Sequence, residues 1–497
     1  MTSKQEQILD YEHQSIFYDG FTFLKPVGSL IGVGADKVNF LVSLVIAMFF
    51  AHWFRKNLGS ASRATRANAA SAVGFLLCYF CYGKATLHLV LNAVISYGII
   101  VLTDPRRVHV NVFLFSMAYL MWIHGYRWLY QRGYCLDMTG SMMVAVGKVT
   151  LLAASVYDGK GREDKTGMTH GQIKDAVKEI PSFRDYFSYM FNFQSVLCGP
   201  MHNYSDYSKF LDNTHVKLAE GKDADPTNVA IRKAQVGLAF LAVSVLLGKY
   251  DVAILTTPAY LSLPLWRWCL WWVFNTFVAR TGYYFAWIFA DGICNMSGFG
   301  FSGYDKKTNS AKWDLTTNVR PMHVELGLNY KEMVDNWNIL TVAWLRRVVY
   351  ERVDHKYRTV AVYVASAVWH GFAAGYYYAF LTGALFTLSA AMVRRCVRRF
   401  FLADRTTKFA YDAVGFVACR IAISYVGYPF FITDFWPGLY TYRRLYFIPH
   451  LLAFAGYFVL PLIFPPPSKS VDTCSSKTKS ENSIKTGCFT PTSTTGQ

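Results

Sequence analysis

The strongest constraint on this chain is a succession of apolar blocks, most of them close to the length a bilayer demands. A hydrocarbon core about 30 Å thick needs about 20 consecutive apolar residues in a helix. Blocks of this kind lie near 38–54, 69–83, 85–103, 108–130, 138–157, 183–199, 234–249, 265–290, 359–393, 409–427 and 444–464. In lipid a backbone must satisfy its own hydrogen bonds, which favours helices. The pattern therefore predicts an all-α polytopic membrane protein of roughly eleven transmembrane or re-entrant helices enclosing a tunnel or chamber. The shorter stretches 27–35 and 252–264 read as re-entrant or interfacial. Only 16% of residues are charged, against about 25% in soluble chains. No composition break separates soluble domains. The expected division is a polar N-terminal segment (1–26), one helical domain (27–465) and a Ser/Thr/Lys-rich tail (466–497). The tail lacks the apolar side chains needed to order it.

The net charge of +18 is concentrated beside apolar blocks, as in RKNLGSASRATR (55–66) and RRCVRRFFLADRTTK (394–408). Such clusters read as cytoplasmic loops and headgroup contacts. A nucleic-acid surface is disfavoured because the aromatics lie in the apolar runs, not among the basic residues. The ten cysteines show no framework spacing. Cys78 and Cys81 form a CxxC within GFLLCYFCYG and read as buried free thiols. The N-terminus MTSKQEQILDYEHQ lacks a signal-peptide pattern, so an internal first span would act as a retained anchor.

Several blocks carry groups that lipid does not tolerate. Lys148 lies in 138–157, His88 and Asn92 in 85–103, and Arg184, Asp185, Asn192 and Gln194 in 183–199. Such groups must face protein or a water-filled cavity. Polar loops are expected at 158–181, 202–232 and 291–331. GFGFSG (298–303) is Gly-rich without the strand-then-helix setting of a dinucleotide site. The sequons at Asn203 and Asn295 carry meaning only if their loops face the lumen. No internal repeat of the transporter kind is visible.

Two positions stand out for chemistry. From Thr359 to Val393 there is no Lys, Arg, Asp or Glu, and His370 is the only histidine. An ionisable ring inside an apolar run is either a hydrogen-bonded helix contact or a functional group. His370 is followed by Gly371, Ala373, Ala374 and Gly375, small residues that admit a close neighbour, and then by Tyr376, Tyr377 and Tyr378. The second position is Asn338 in DNWNILTVAWLRRVVYERV (335–353). On helical spacing Trp337, Leu340, Trp344 and Val348 share a face, with Asn338 beside it and Arg346 and Arg347 towards one end. The pattern reads as one amphipathic helix.

Trp337-Asn338, followed thirty-two positions after the asparagine by the histidine of Trp369-His370-Gly371, resembles the paired motif of the membrane-bound O-acyltransferase family. The stretches LDMTGSMMVAVGKVTLLAASVYDG (136–159), IPSFRDYFSYMFNFQSVLCGPMHNYSDY (180–207), ADGICNMSGFGFSGYDK (290–306) and WDLTTNV (313–319) are similar to its lysophospholipid branch. The likeness is greatest to the enzymes acting on ethanolamine, serine and choline lysolipids, and it covers roughly residues 15–465. One departure is FAAGYY after Trp369-His370-Gly371, where relatives often carry a proline before GYY.

The resemblance implies transfer of an acyl group from acyl-coenzyme A, as co-substrate, to the free hydroxyl of a lysophospholipid. It implies no metal and no bound cofactor, because the thioester is already activated. His370 is then the general base and Asn338 the orienting or oxyanion group. Trp337, Arg346, Arg347 and Tyr377 are candidate substrate contacts, the arginines through coenzyme A phosphates. A multi-pass protein of the endoplasmic reticulum membrane is implied, with the bilayer and its lipids as partners and no nucleic acid. Two other readings remain open at this stage. One is a protein or peptide O-acyltransferase with the same residue pair, and the other is a membrane lipid transporter.

Overall fold

A computed structural model of the chain describes residues 19–130, 135–214, 224–305 and 307–467. Most of the predicted tail, and residues 1–18 of the predicted N-terminal segment, lie outside these residues. The architecture is all-α as expected; the described residues add only a two-residue antiparallel pairing, Gly303–Tyr304 with Ala311–Lys312. We label the helices that matter below: α1 Ala35–Leu58, α2 Arg63–Tyr82, α3 Thr86–Leu102, α4 Val108–Tyr130, α5 Met138–Val156, α6 Thr227–Leu246, α7 Leu265–Met296, α8 Tyr330–Asn336, α9 Ile339–Leu345, α10 Arg358–His370, α11 Ala374–Val397 and α12 Arg405–Ile432.

Seven helical stretches among the described residues are long and apolar enough to cross a membrane. The pair Phe435–Arg444 and Ile448–Ile463, bent by 74°, makes an eighth if counted as one span. The two blocks 69–83 and 85–103 run together as one helical stretch, Arg63–Leu102. Burial separates the centre from the rim. In the stretch Met138–Gly161, 89% of the apolar window is buried within the protein, against 11% in α6. Helix α5 is therefore enclosed by other helices, and α6 presents its apolar surface outward, where a bilayer would cover it.

Three blocks differ from their sequence reading. Block 183–199 forms only a nine-residue helix, Phe183–Phe191. Its polar side chains find local partners, with the Asn192 amide donating to the Tyr189 carbonyl (2.7 Å) and the Ser195 hydroxyl to Asn192 Oδ1 (2.8 Å). Residues 291–296, expected in a loop, complete α7 and are buried. Burial is tolerable there because Lys233 pairs with Asp291 (2.7 Å), which also accepts from Thr316 (2.7 Å) and Thr317 (2.8 Å). The apolar run 359–393 is two helices, broken at Gly371–Ala373.

Several of the buried polar groups are engaged within the helix bundle, as their membrane depth requires. Lys148 donates to the Met190 carbonyl (3.2 Å) and Ser195 Oγ (3.0 Å), with the Tyr189 ring 4.9 Å away. Cys78 and Cys81 are buried free thiols, the latter 3.1 Å from Ser43 Oγ. Asn295 is fully buried, which closes its sequon to a glycan in the folded protein.

Candidate active site

His370 is the last residue of α10. Gly371 ends that helix with φ +112° and ψ −159°, a conformation that disfavours any side chain. A Cβ there would also lie 2.9 Å from ring atoms of His124. Gly371→Ala is therefore expected to lose stability and most activity, checked by thermal unfolding and turnover of the purified variant. The chain re-enters a helix at Ala374. Gly375 lies against the C-terminal end of α12, where Pro429 sits inside the helix. The Gly375 amide donates to Thr433 O (2.8 Å), and an added Cβ would fall 2.0 Å from Pro429 O. This close approach brings the C-terminal end of α12 to the start of α11.

The result is an aromatic box around a partly buried His370. Its ring stacks on Phe380 (centroids 5.1 Å) and meets Phe430 edge-on (5.0 Å); Tyr376 lies at 5.3 Å and Trp369 at 4.8 Å. Trp369 is fixed by a bond from its Nε1 to the Met143 carbonyl of α5 (3.1 Å) and by the Trp344 ring of α9 at 5.1 Å. Trp344 in turn donates to Thr150 Oγ1 of α5 (2.8 Å). The enclosed helix α5 thus carries the tryptophan that precedes the histidine.

Asn338 does not sit inside a helix, in contrast to the single amphipathic helix read from 335–353. It occupies the left-handed region (φ 50°, ψ 50°) and separates α8 from α9. Asn tolerates that conformation better than most residues. Asn318 organises the break. Its carbonyl accepts from Ile339 N–H (2.7 Å) and its Oδ1 from Leu340 N–H (2.9 Å), satisfying amides that begin a helix. The second of these bonds sets the orientation of the Asn318 amide, because a backbone N–H can only donate. Its Nδ2 therefore faces Asn338 Oδ1 and donates to it at 3.0 Å. With its oxygen so engaged, Asn338 turns its amide N–H groups to donation.

Trp337, expected as a substrate contact, packs among Trp287 (5.0 Å), Tyr284 (5.7 Å) and Tyr283 (6.1 Å). Tyr283 lies 6.3 Å from Phe430, which closes the box over His370. One run of rings thus joins the Asn338 break to the His370 turn. Tyr377 is partly buried at the start of α11, and its neighbour Tyr376 is the tyrosine placed against His370. Arg346 is exposed, with Glu351 3.6 Å away. Arg347 is buried, paired with Asp175 (2.7 Å) and Glu351 (3.4 Å). Removing one partner of a buried pair strands the other charge. Arg347→Ala is thus expected to destabilise the protein by about 3–5 kcal/mol, and Arg346→Ala by less than about 0.5 kcal/mol, as measured by thermal unfolding in detergent.

Sequence reasoning missed Asn318, Phe380 and Phe430, and of the tyrosine triplet it marked Tyr377 as the substrate contact where Tyr376 is the one against His370. Asn318 stands in WDLTTNV and Phe380 lies within one helical turn of the tyrosine triplet, so partial signals existed. Phe430 belongs to a distant apolar run that nothing in the sequence ties to His370.

The sequence profile of the membrane-bound O-acyltransferase family matches residues 110–427, which include both Asn338 and His370. The chain belongs to this family. Over 465 residues it is 36% identical to human membrane-bound glycerophospholipid O-acyltransferase 1, covering 89% of this chain and 92% of the human one. It is 35% identical over 462 residues to Drosophila melanogaster lysophospholipid acyltransferase 6, covering 89% of this chain and 64% of that longer protein. A lysophospholipid acyltransferase of Schizosaccharomyces pombe is 31% identical over 441 residues, 85% of this chain and 86% of the yeast protein. The protein is an acyltransferase, built as a multi-pass membrane protein.

Proposed function

We propose that this acyltransferase moves a fatty acyl group from acyl-coenzyme A to the free hydroxyl of a lysophospholipid, as a phospholipid-remodelling enzyme of the endoplasmic reticulum membrane. The reading rests on an imidazole held in an aromatic box at a helix end and on an asparagine whose side-chain oxygen is engaged, leaving its amide N–H groups as donors. The names of the relatives support the substrate class.

The chemistry follows from what each group can do. An alcohol is a weak nucleophile at neutral pH, and a thioester is already activated. A neutral imidazole accepts a proton. His370 takes the hydroxyl proton as the oxygen attacks the thioester carbon. The C=O π electrons move onto oxygen, and an Asn338 N–H donates to that oxyanion. The intermediate collapses with cleavage of the C–S bond, and the imidazolium returns its proton to the departing sulfur. The products are an ester and coenzyme A thiol. Base catalysis of this kind contributes roughly 10²–10⁴-fold. A donor to an oxyanion contributes roughly 3–4 kcal/mol. The aromatic box limits water around the thioester and so favours the lipid alcohol over hydrolysis.

Release of coenzyme A by purified protein tests the assignment. The reading predicts release that depends on added lysophospholipid and matches formation of the diacyl lipid. Release that ignores the lysolipid, or requires a peptide instead, would overturn it.

A further inference from the structure

His124 of α4 is a buried histidine that the reaction outlined above does not use. Its Nε2 lies 3.1 Å from the backbone carbonyl of Trp369, a residue 245 positions away and immediately before His370. A carbonyl only accepts, so Nε2 carries the hydrogen and donates. The location of that carbonyl matters. The last carbonyls of a helix have no partner within it. At the end of α10 the Gly371 amide takes Ala367 O (3.2 Å) and Val368 O (3.0 Å), and His124 takes the next one, Trp369 O. The fit around it is close on both sides. The Gly371 Cα faces the His124 ring, and a Cβ on Gly125 would meet the Phe372 ring at 3.3 Å. His124 and Gly125 therefore lie flush against the segment Trp369–Phe372.

We propose that His124 is a positioning residue for acyl transfer, holding through the Trp369 carbonyl the backbone turn that aims the His370 ring. The inference rests on the base role given to His370. Trp369 is then pinned at two points, its side chain by Met143 O of α5 and its main chain by His124 of α4. The imidazole that follows inherits the rigidity of both helices. With its Nε2–H given to a peptide oxygen, the remaining lone pair of His124 is on Nδ1, which lies against Gly371. Losing the bond frees the end of α10, and a small misplacement of a reacting group costs up to about 100-fold in rate.

Steady-state kinetics of four proteins in one detergent preparation test this: the unmodified enzyme, His124→Phe, His124→Gln and His370→Ala. Phenylalanine fills the space without a donor, and glutamine restores an N–H. The expected result is a kcat lowered about 10- to 100-fold in His124→Phe, with KM for both substrates within about threefold. Glutamine is expected to recover most of the loss, which a role in packing alone does not explain. Full activity in His124→Phe, or a His124→Gln as slow as His124→Phe, would overturn the proposal. If the phenylalanine variant does not yield monodisperse protein, His124→Leu carries the same comparison. An active His370→Ala would remove the base assignment itself, and so separates failure of that reading from failure of this one.

Discussion

Replacing His370 with alanine is expected to lower the rate of acyl transfer by roughly 10²–10⁴-fold. The imidazole acts on a proton that moves only in the transition state, so kcat and kcat/KM should fall together. The ring also fills space between Phe380, Phe430, Tyr376 and Trp369, so alanine leaves a void and costs some stability. His370→Gln separates the two effects. It keeps much of the volume and a polar tip but is not a base, and it should be as slow as alanine while unfolding closer to the unmodified protein. Parallel turnover and thermal-unfolding measurements on the two variants check this. A glutamine variant with near-normal turnover would mean that the ring shapes the box and does no proton chemistry.

The second large effect is expected at Asn338. Removing one donor to an oxyanion typically costs roughly 10²–10³-fold in kcat. Alanine confounds that loss with backbone strain, because Asn338 sits at φ 50°, where an alanine costs about 1–2 kcal/mol. Glycine adopts the conformation freely. Asn338→Gly should therefore be as slow as Asn338→Ala while remaining more stable. Asn338→Asp keeps an oxygen for Asn318 to donate to but has no N–H, and should be slow as well. Turnover near the unmodified rate in the glycine variant would take Asn338 out of the chemistry and leave it a helix-break residue.

Much of this was legible in one dimension. Hydropathy gave the all-α membrane class, since each apolar block answers to a fixed bilayer thickness. The lack of charge around His370, and its resemblance-bearing neighbours, singled out the imidazole. What the sequence hid was geometry set by distant partners. The spacing of Trp337, Leu340, Trp344 and Val348 suits one helix, and only an asparagine in the left-handed region, held by Asn318, breaks it. Gly371 read as a small residue admitting a close neighbour after His370, but that neighbour, His124 on α4, is set by the fold. Arg347 looked like a free cation in sequence because Asp175, which pairs with it, lies 172 positions away at the end of a short helix, His170–Asp175. Periodicity reveals which face of a helix is apolar. It does not reveal which other element that face, or a polar group beside it, will meet.

A single-turnover experiment bears most directly on the central claim. Purified enzyme and its His370→Gln variant are each loaded with radiolabelled acyl-coenzyme A and mixed with excess lysophospholipid, and both bound donor and labelled diacyl lipid are followed. The account predicts equal donor binding by the two proteins, rapid ester formation by the unmodified enzyme, and a rate at least about 100-fold lower in the variant. Equal rates of ester formation in both would contradict it.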